Sequence, residues 1–150
     1  MTPADPIFIT LEKKAPAPLG AYSHAVVAGD FVYLCGLGAR SPETGQEVGV
    51  SLDKSGDILW YDIEAQTKQA LENLKTVLKE SGCTLQNLVD VHVFLKDMKD
   101  FAKMNDVYGQ YFTHQNLPAR TTIEATPPGL NFIEVKAIAY KPNTYPDKKV

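Results

Sequence analysis

At 150 residues the chain has the usual size of one domain, and 44% hydrophobic against 22% charged residues supplies a core, which excludes a disordered or fibrous protein. A formal net charge of -3 counts against nucleic acid or an anionic membrane as the main partner, and the short pairs Lys13-Lys14 and Lys148-Lys149 do not reverse that. Two cysteines, Cys35 and Cys83, make no disulfide framework, no apolar run approaches the roughly 20 residues that cross a bilayer, and no signal-like leader opens the chain; a soluble cytoplasmic protein is expected.

Met1 to Pro6 and Lys141 to Val150, rich in proline and polar residues, read as extensions of a single domain whose core spans about residues 7–140. Ile7 to Leu11 reads as a short strand, and the prolines and glycine between Ala15 and Gly20 force an irregular turn. Ala25 to Ala28 and Phe31 to Cys35 are β-rich and flank Gly29-Asp30, the spacing of a two-residue hairpin. Arg40 to Asp57 reads as a long loop that could include a second, ragged hairpin.

From Asp62 the period lengthens to that of a helix: Ile63, Ala70, Leu71, Leu74, Val77 and Leu78 form one stripe, and Gly82 supplies the stop. Val89, Val91, Val93 and Leu95 then alternate with polar residues as a strand. A second amphipathic helix carries Phe101, Met104, Val107, Tyr108, Tyr111 and Phe112 after an Asp100 cap. Two strands close the domain, Thr121 to Ala125 and Phe132 to Tyr140, joined through Thr126-Pro127-Pro128-Gly129. This order predicts an α+β sandwich, a mixed sheet with two helices on one face. In the last strand one face is Ile133, Val135, Ala137 and Ala139, while the other mixes Glu134 and Lys136 with Ile138 and Tyr140. A solvated face needs no such apolar groups, so the second face is expected to pack on another copy of the chain.

Few residues carry chemistry by pattern alone. Gly36-Leu37-Gly38-Ala39-Arg40-Ser41 lacks the third glycine and the following helix of a dinucleotide fingerprint. His24, His92 and His114 lack the spacing of zinc ligands, and Tyr108, Tyr111 and Phe112 read as core rather than as a base-stacking stripe. Arg120 stands at a strand start, from which a guanidinium can grip a carboxylate in a cleft; a surface salt bridge is the plainer alternative. Glu134, beside Ile138 and Tyr140, could be partly desolvated and act as a general acid or base, or simply pair with a lysine. Cys35 ends an apolar strand and reads as buried and inert.

Taken in order, several segments are similar to one family. Gly20-Ala21-Tyr22-Ser23-His24-Ala25-Val26 resembles the GPYSQAV opening of the RidA/YjgF/L-PSP family, and Phe31 to Gly36 resembles its strand ending in Ser-Gly. Gln66, Asn73-Leu74, Val93 to Phe101, Met104 to Tyr108, Tyr111-Phe112, Pro118-Ala119-Arg120 and Ile133 to Ala139 follow in the family's order, from about Ala15 to Tyr140. The resemblance implies a chorismate-mutase-like fold assembled as a homotrimer with sites in the clefts between subunits. It further implies a hydrolytic deaminase of reactive 2-enamine and 2-imine carboxylates that needs no metal or organic cofactor. In that reading Arg120 grips the substrate carboxylate, Glu134 positions or activates water, and Tyr22, Cys35 and Asn105 line the pocket.

The sequence departs from the pattern at Ala21 for proline, His24 for glutamine, Cys35 for serine and Leu37 for glutamine, and Gly45 to Ile63 is longer. His24, with Ala28 to Phe31 and Asp62 to Thr67, is more similar to the 2-aminomuconate deaminase branch than to members acting on 2-aminoacrylate. A dicarboxylate implies a second basic contact, for which His24 or Arg40 is the expected donor. The competing functions are a non-catalytic trimer that binds small carboxylates or a protein partner, and the ribonuclease or translation-inhibitor activity that some relatives carry in name, against which the acidic charge speaks.

Overall fold

A computed structural model describes residues 5–113 and 115–142; His114, Lys148-Lys149 and most of both extensions lie outside the described residues. Strands β1 (Ile7–Ile9), β2 (Ala25–Ala28) and β3 (Phe31–Leu34) form an antiparallel meander. Ala28 pairs with Phe31 across the two-residue turn, where Gly29 takes φ +59, a conformation that costs a glycine little. The long segment does contain a hairpin, β4 (Val50–Leu52) and β5 (Ile58–Tyr61), with a register shift between Ser51 and Leu52.

Helix α1 (Ile63–Glu80) starts at Asp62, whose carboxylate accepts from the Glu64 and Ala65 N–H groups, and ends at Ser81 before Gly82, with φ +76. Its predicted stripe is buried, and three polar residues are buried with it. Gln66 Nε2 donates to the Val48 and Leu130 carbonyls while its Oε1 accepts from Phe132 N. Asn73 Nδ2 donates to the Gly38 and Arg40 carbonyls. The helix thus anchors the two irregular segments that flank Glu134, satisfying backbone groups that no ladder reaches.

Strand β6 (Leu88–Leu95), helix α2 (Phe101–Tyr111), β7 (Ala119–Glu124) and β8 (Ile133–Tyr140) complete the domain. The six-stranded sheet has the order β1-β2-β3-β8-β6-β7, with β6 and β7 parallel and the other neighbours antiparallel. Both helices pack on one face, as predicted, over Val91, Val93, Leu95, Ile133, Val135 and Ala137. Among the described residues no helix is long and apolar enough to cross a membrane.

Three local expectations are corrected. The register shifts between Leu88 and Asp90, so Leu88 is buried and Val89 points outward, although the alternation starts at Val89. Asp100 stands at the α2 cap position but makes no capping bond; its carboxylate accepts from Tyr61 Oη at 2.8 Å. Strand β7 begins at Ala119, two residues before the expected Thr121, so Arg120 at the strand start is already in the ladder.

The helix-free face follows from the pairing. Phe31 pairs with Tyr140, Tyr33 with Ile138, Glu134 with Phe94, and Phe94 with Ile123. Phe31, Tyr33, Tyr140 and Ile123 remain at least 40% exposed, an apolar face that the described residues do not cover.

Candidate active site

Glu134 projects from β8 onto the helix-free face. Beside it, Leu37 and Val135 exchange two backbone hydrogen bonds, Leu37 N to Val135 O at 2.8 Å and Val135 N to Leu37 O at 2.9 Å, which bring Cys35 and Gly36 against the carboxylate. A methyl group on Gly36 would stand 2.7 Å from Glu134 Cδ and 2.8 Å from Oε1, so the glycine makes room for the carboxyl group over the backbone. A groove of about 660 Å³ opens here, lined by Tyr22, Cys35, Gly36, Phe94, Glu134 and Lys136 among others. Burial raises the Glu134 pKa from its ordinary value, and the Lys136 charge only partly opposes this. Such a group can hold a proton in one step and release it in the next. The Cys35 thiol is pushed up to about 11 by burial and then by the Glu134 charge, so at neutral pH it is a weak donor and not a nucleophile. Tyr22 Oη accepts from Leu19 N at 3.1 Å, which leaves its own proton free to donate.

Arg120 belongs to a different cluster. It pairs with Val91, a buried residue of the helix-covered face, and so points toward α2. Nη1 donates to Asn105 Oδ1 at 2.8 Å, and the guanidinium carbon lies 4.6 Å from the Tyr108 ring centroid and 5.7 Å from that of Phe101. Two buried hydroxyls on this side of the sheet, Tyr108 Oη and Thr122 Oγ1, have no partner among the described residues.

The structure therefore brings Tyr22, Cys35 and Glu134 together, and separately brings Arg120 and Asn105 together. Within one chain the two clusters face opposite sides of the sheet, with β6 between their strands. His24 lies behind the first cluster, bordering a small cavity with Tyr22, Cys35 and Gly36, and its backbone carbonyl accepts from Cys35 N at 2.9 Å. His24 is 1% exposed, its Nδ1 accepts from Leu11 N at 3.0 Å, and its Nε2 lies 2.9 Å from the Pro16 carbonyl, which fixes the Nε2–H tautomer. Both ring nitrogens are thus engaged by backbone groups, and His24 clamps the turn after β1. Arg40 Nη2 donates to the Ala17 carbonyl at 2.7 Å, which leaves it further N–H groups, and the side chain borders a small cavity with Cys35 and Gly36.

Sequence reasoning missed Gly36, Phe94, Lys136 and Tyr108 as parts of these clusters. The glycines that resemble a phosphate loop accommodate the chain's own side chains, Glu134 over Gly36 and Asn131 over Gly38, where Asn131 Oδ1 accepts from Ala39 N at 2.7 Å. A larger groove of about 750 Å³ at the C-terminal ends of α1 and α2, lined by Glu72, Lys75, Lys79, Cys83 and Tyr111 among others, contains none of the predicted site residues.

Fold and clusters define a class, an α+β sandwich of the chorismate-mutase-like type that carries a half-buried glutamate on its open face. The family model described as Endoribonuclease L-PSP matches residues 12–141. A RutC family protein of Pyrococcus abyssi is 42% identical over 134 residues, 89% of this chain and 96% of that protein. A rat protein named 2-iminobutanoate/2-iminopropanoate deaminase is 39% identical over 128 residues, 84% of each chain. Among solved structures, the YjgF gene product of Escherichia coli superposes with a TM-score of 0.76 at 31% identity, covering 89% of this chain and 98% of its own. A Thermotoga maritima structure titled a putative endoribonuclease also gives 0.76, at 36% identity and 89% and 96% coverage. The chain belongs to the RidA/YjgF/L-PSP family.

Proposed function

We propose that the protein is a hydrolytic deaminase of 2-enamine and 2-imine carboxylates, working as a homotrimer whose sites join the Glu134 groove of one subunit to the Arg120 cluster of the next. The observation that carries this reading is Glu134 itself, a half-buried carboxyl group of raised pKa over Gly36, in a groove wide enough for a small carboxylate. The uncovered apolar sheet face and the opposed directions of Arg120 and Glu134 support assembly, since only a second copy can complete the pair. The deaminase named among the relatives supports the reaction class.

The chemistry follows from the parts. Arg120, with one N–H donated to Asn105, keeps others for bidentate capture of the carboxylate next to the reacting carbon. The enamine tautomerises to an imine by gaining a proton at carbon and losing one from nitrogen. Glu134 then removes a proton from water as it adds to the imine carbon and passes it to the nitrogen; a second transfer through the same carboxyl group moves the carbinolamine hydroxyl proton to the amine, which leaves as ammonia as the 2-keto acid forms. Tyr22 supplies a donor at the rim, and the neutral Cys35 thiol adds a weak one.

A narrower reading takes 2-aminomuconate as substrate. With both His24 ring nitrogens engaged by the backbone, the cations that support it are Lys136, which shares the groove with Glu134, and Arg40, which keeps N–H groups beyond the one it gives the Ala17 carbonyl. Ammonia release from freshly generated 2-aminoacrylate and 2-aminomuconate, compared with Arg120→Ala, tests both levels: acceleration lost in the variant is expected, and the preferred substrate selects the branch. Rates equal to spontaneous hydrolysis for both would favour the binding-module alternative, which Glu134→Gln should leave intact.

A further inference from the structure

We propose that Tyr108 is a positioning residue for Arg120, its ring holding the guanidinium in the orientation that receives the substrate carboxylate. The inference rests on the reading of Arg120 as the carboxylate grip. Phe101, Asn105 and Tyr108 recur at i, i+4 and i+7 on α2, so one stripe of the helix faces the arginine. Asn105 fixes Nη1 from one side, at 2.8 Å, while the Tyr108 ring lies under the guanidinium carbon at 4.6 Å. That separation is within cation–π range, and a stacked arginine keeps its in-plane N–H groups free for a ligand.

The platform is itself fixed. Tyr108 is 8% exposed and stacks on Phe112 with centroids 4.2 Å apart and planes 17° apart. Its hydroxyl is buried without a partner among the described residues, so the ring and not a hydrogen bond is what the residue offers Arg120. A long side chain on the edge strand β7 would otherwise have to be ordered by each ligand it binds, which weakens binding without altering the chemical step.

The test compares Tyr108→Phe, Tyr108→Leu and Arg120→Ala in the intact protein, reading KM, kcat and the Kd for pyruvate as a 2-keto acid product. Tyr108→Phe keeps the ring and should stay within about threefold of wild type in KM and Kd. Tyr108→Leu should raise both about tenfold while kcat changes by less than about threefold. Should the leucine variant not fold, Tyr108→Met is read by the same criteria. Unchanged KM in the ring-less variant overturns the proposal, as does a phenylalanine variant as impaired as the leucine one. If Arg120→Ala also leaves KM and Kd unchanged, the failure lies in the carboxylate reading itself; if Arg120→Ala weakens binding and Tyr108→Leu does not, only the positioning role is lost.

Discussion

Replacing Gly36 by alanine isolates the placement of Glu134 from the stability of the fold. The added methyl would meet Glu134 Cδ at 2.7 Å, about 0.7 Å inside ordinary van der Waals contact. The obstacle is the far end of a flexible side chain, and Gly36 is not among the glycines with positive φ, so backbone strain does not arise. The carboxyl group can therefore swing away at little cost to folding, and thermal unfolding should stay within a few degrees of wild type. Catalysis should not be spared: a displacement of about 1 Å of a catalytic group costs on the order of 100-fold, about 2.7 kcal/mol of transition-state stabilisation. The assay is kcat/KM for ammonia release beside a calorimetric melt. A Gly36→Ala protein within threefold of wild-type kcat/KM would refute the placement of Glu134 as the proton-transfer group.

Three further outcomes are expected. Glu134→Gln should abolish turnover and flatten the pH dependence of stability: the folded state holds the Glu134 proton more tightly than the unfolded chain, so this group's contribution is present in acid and lost as pH rises through the raised pKa. The variant's melting temperature should thus gain on wild type toward neutral pH, and a gap that instead widens in acid contradicts the sign. His24→Ala leaves the Leu11 N–H and the Pro16 carbonyl without their partner in the interior, and should cost about 2–4 kcal/mol in denaturant unfolding with kcat retained where the protein is folded. Cys35 should be alkylated by iodoacetamide at pH 8 at least about a hundredfold more slowly than a free cysteine, because burial keeps the thiol protonated; rapid labelling would show an exposed thiolate.

The elements that were legible in the sequence are those fixed by local rules. The α1 stripe needs only a 3.6 period and the Asp62 cap, and the β2–β3 turn needs only Gly29-Asp30 at the right spacing. Alternation along β8 also places Glu134 with Ile138 on the face opposite Val135. What stayed hidden depends on register and on partners distant in sequence. The bulge beside Leu88 reverses one residue of an otherwise regular pattern, and the parallel β6–β7 register that turns Arg120 toward α2 has no local signature. The helical spacing of Tyr108 shows that it is buried, but burial says nothing about the cation above its ring. His24 looked like a ligand-facing substitution because its two backbone partners, Leu11 N and Pro16 O, meet it only through the fold of the turn. The segment at Gly36 and Gly38 is legible as no dinucleotide fingerprint, but the side chains that occupy the space over these glycines, Glu134 and Asn131, come from nearly 100 residues away.

The central claim is that Arg120 of one subunit and Glu134 of another act on the same substrate. Arg120→Ala and Glu134→Gln proteins, each inactive alone, would be unfolded together in equal amounts, refolded and assayed for ammonia release. Random assembly should restore about a quarter of wild-type activity, the share of interfaces that pair an intact Glu134 with an intact Arg120. Activity no higher than that of either variant alone, in mixed oligomers of verified mass, would contradict a site shared between subunits.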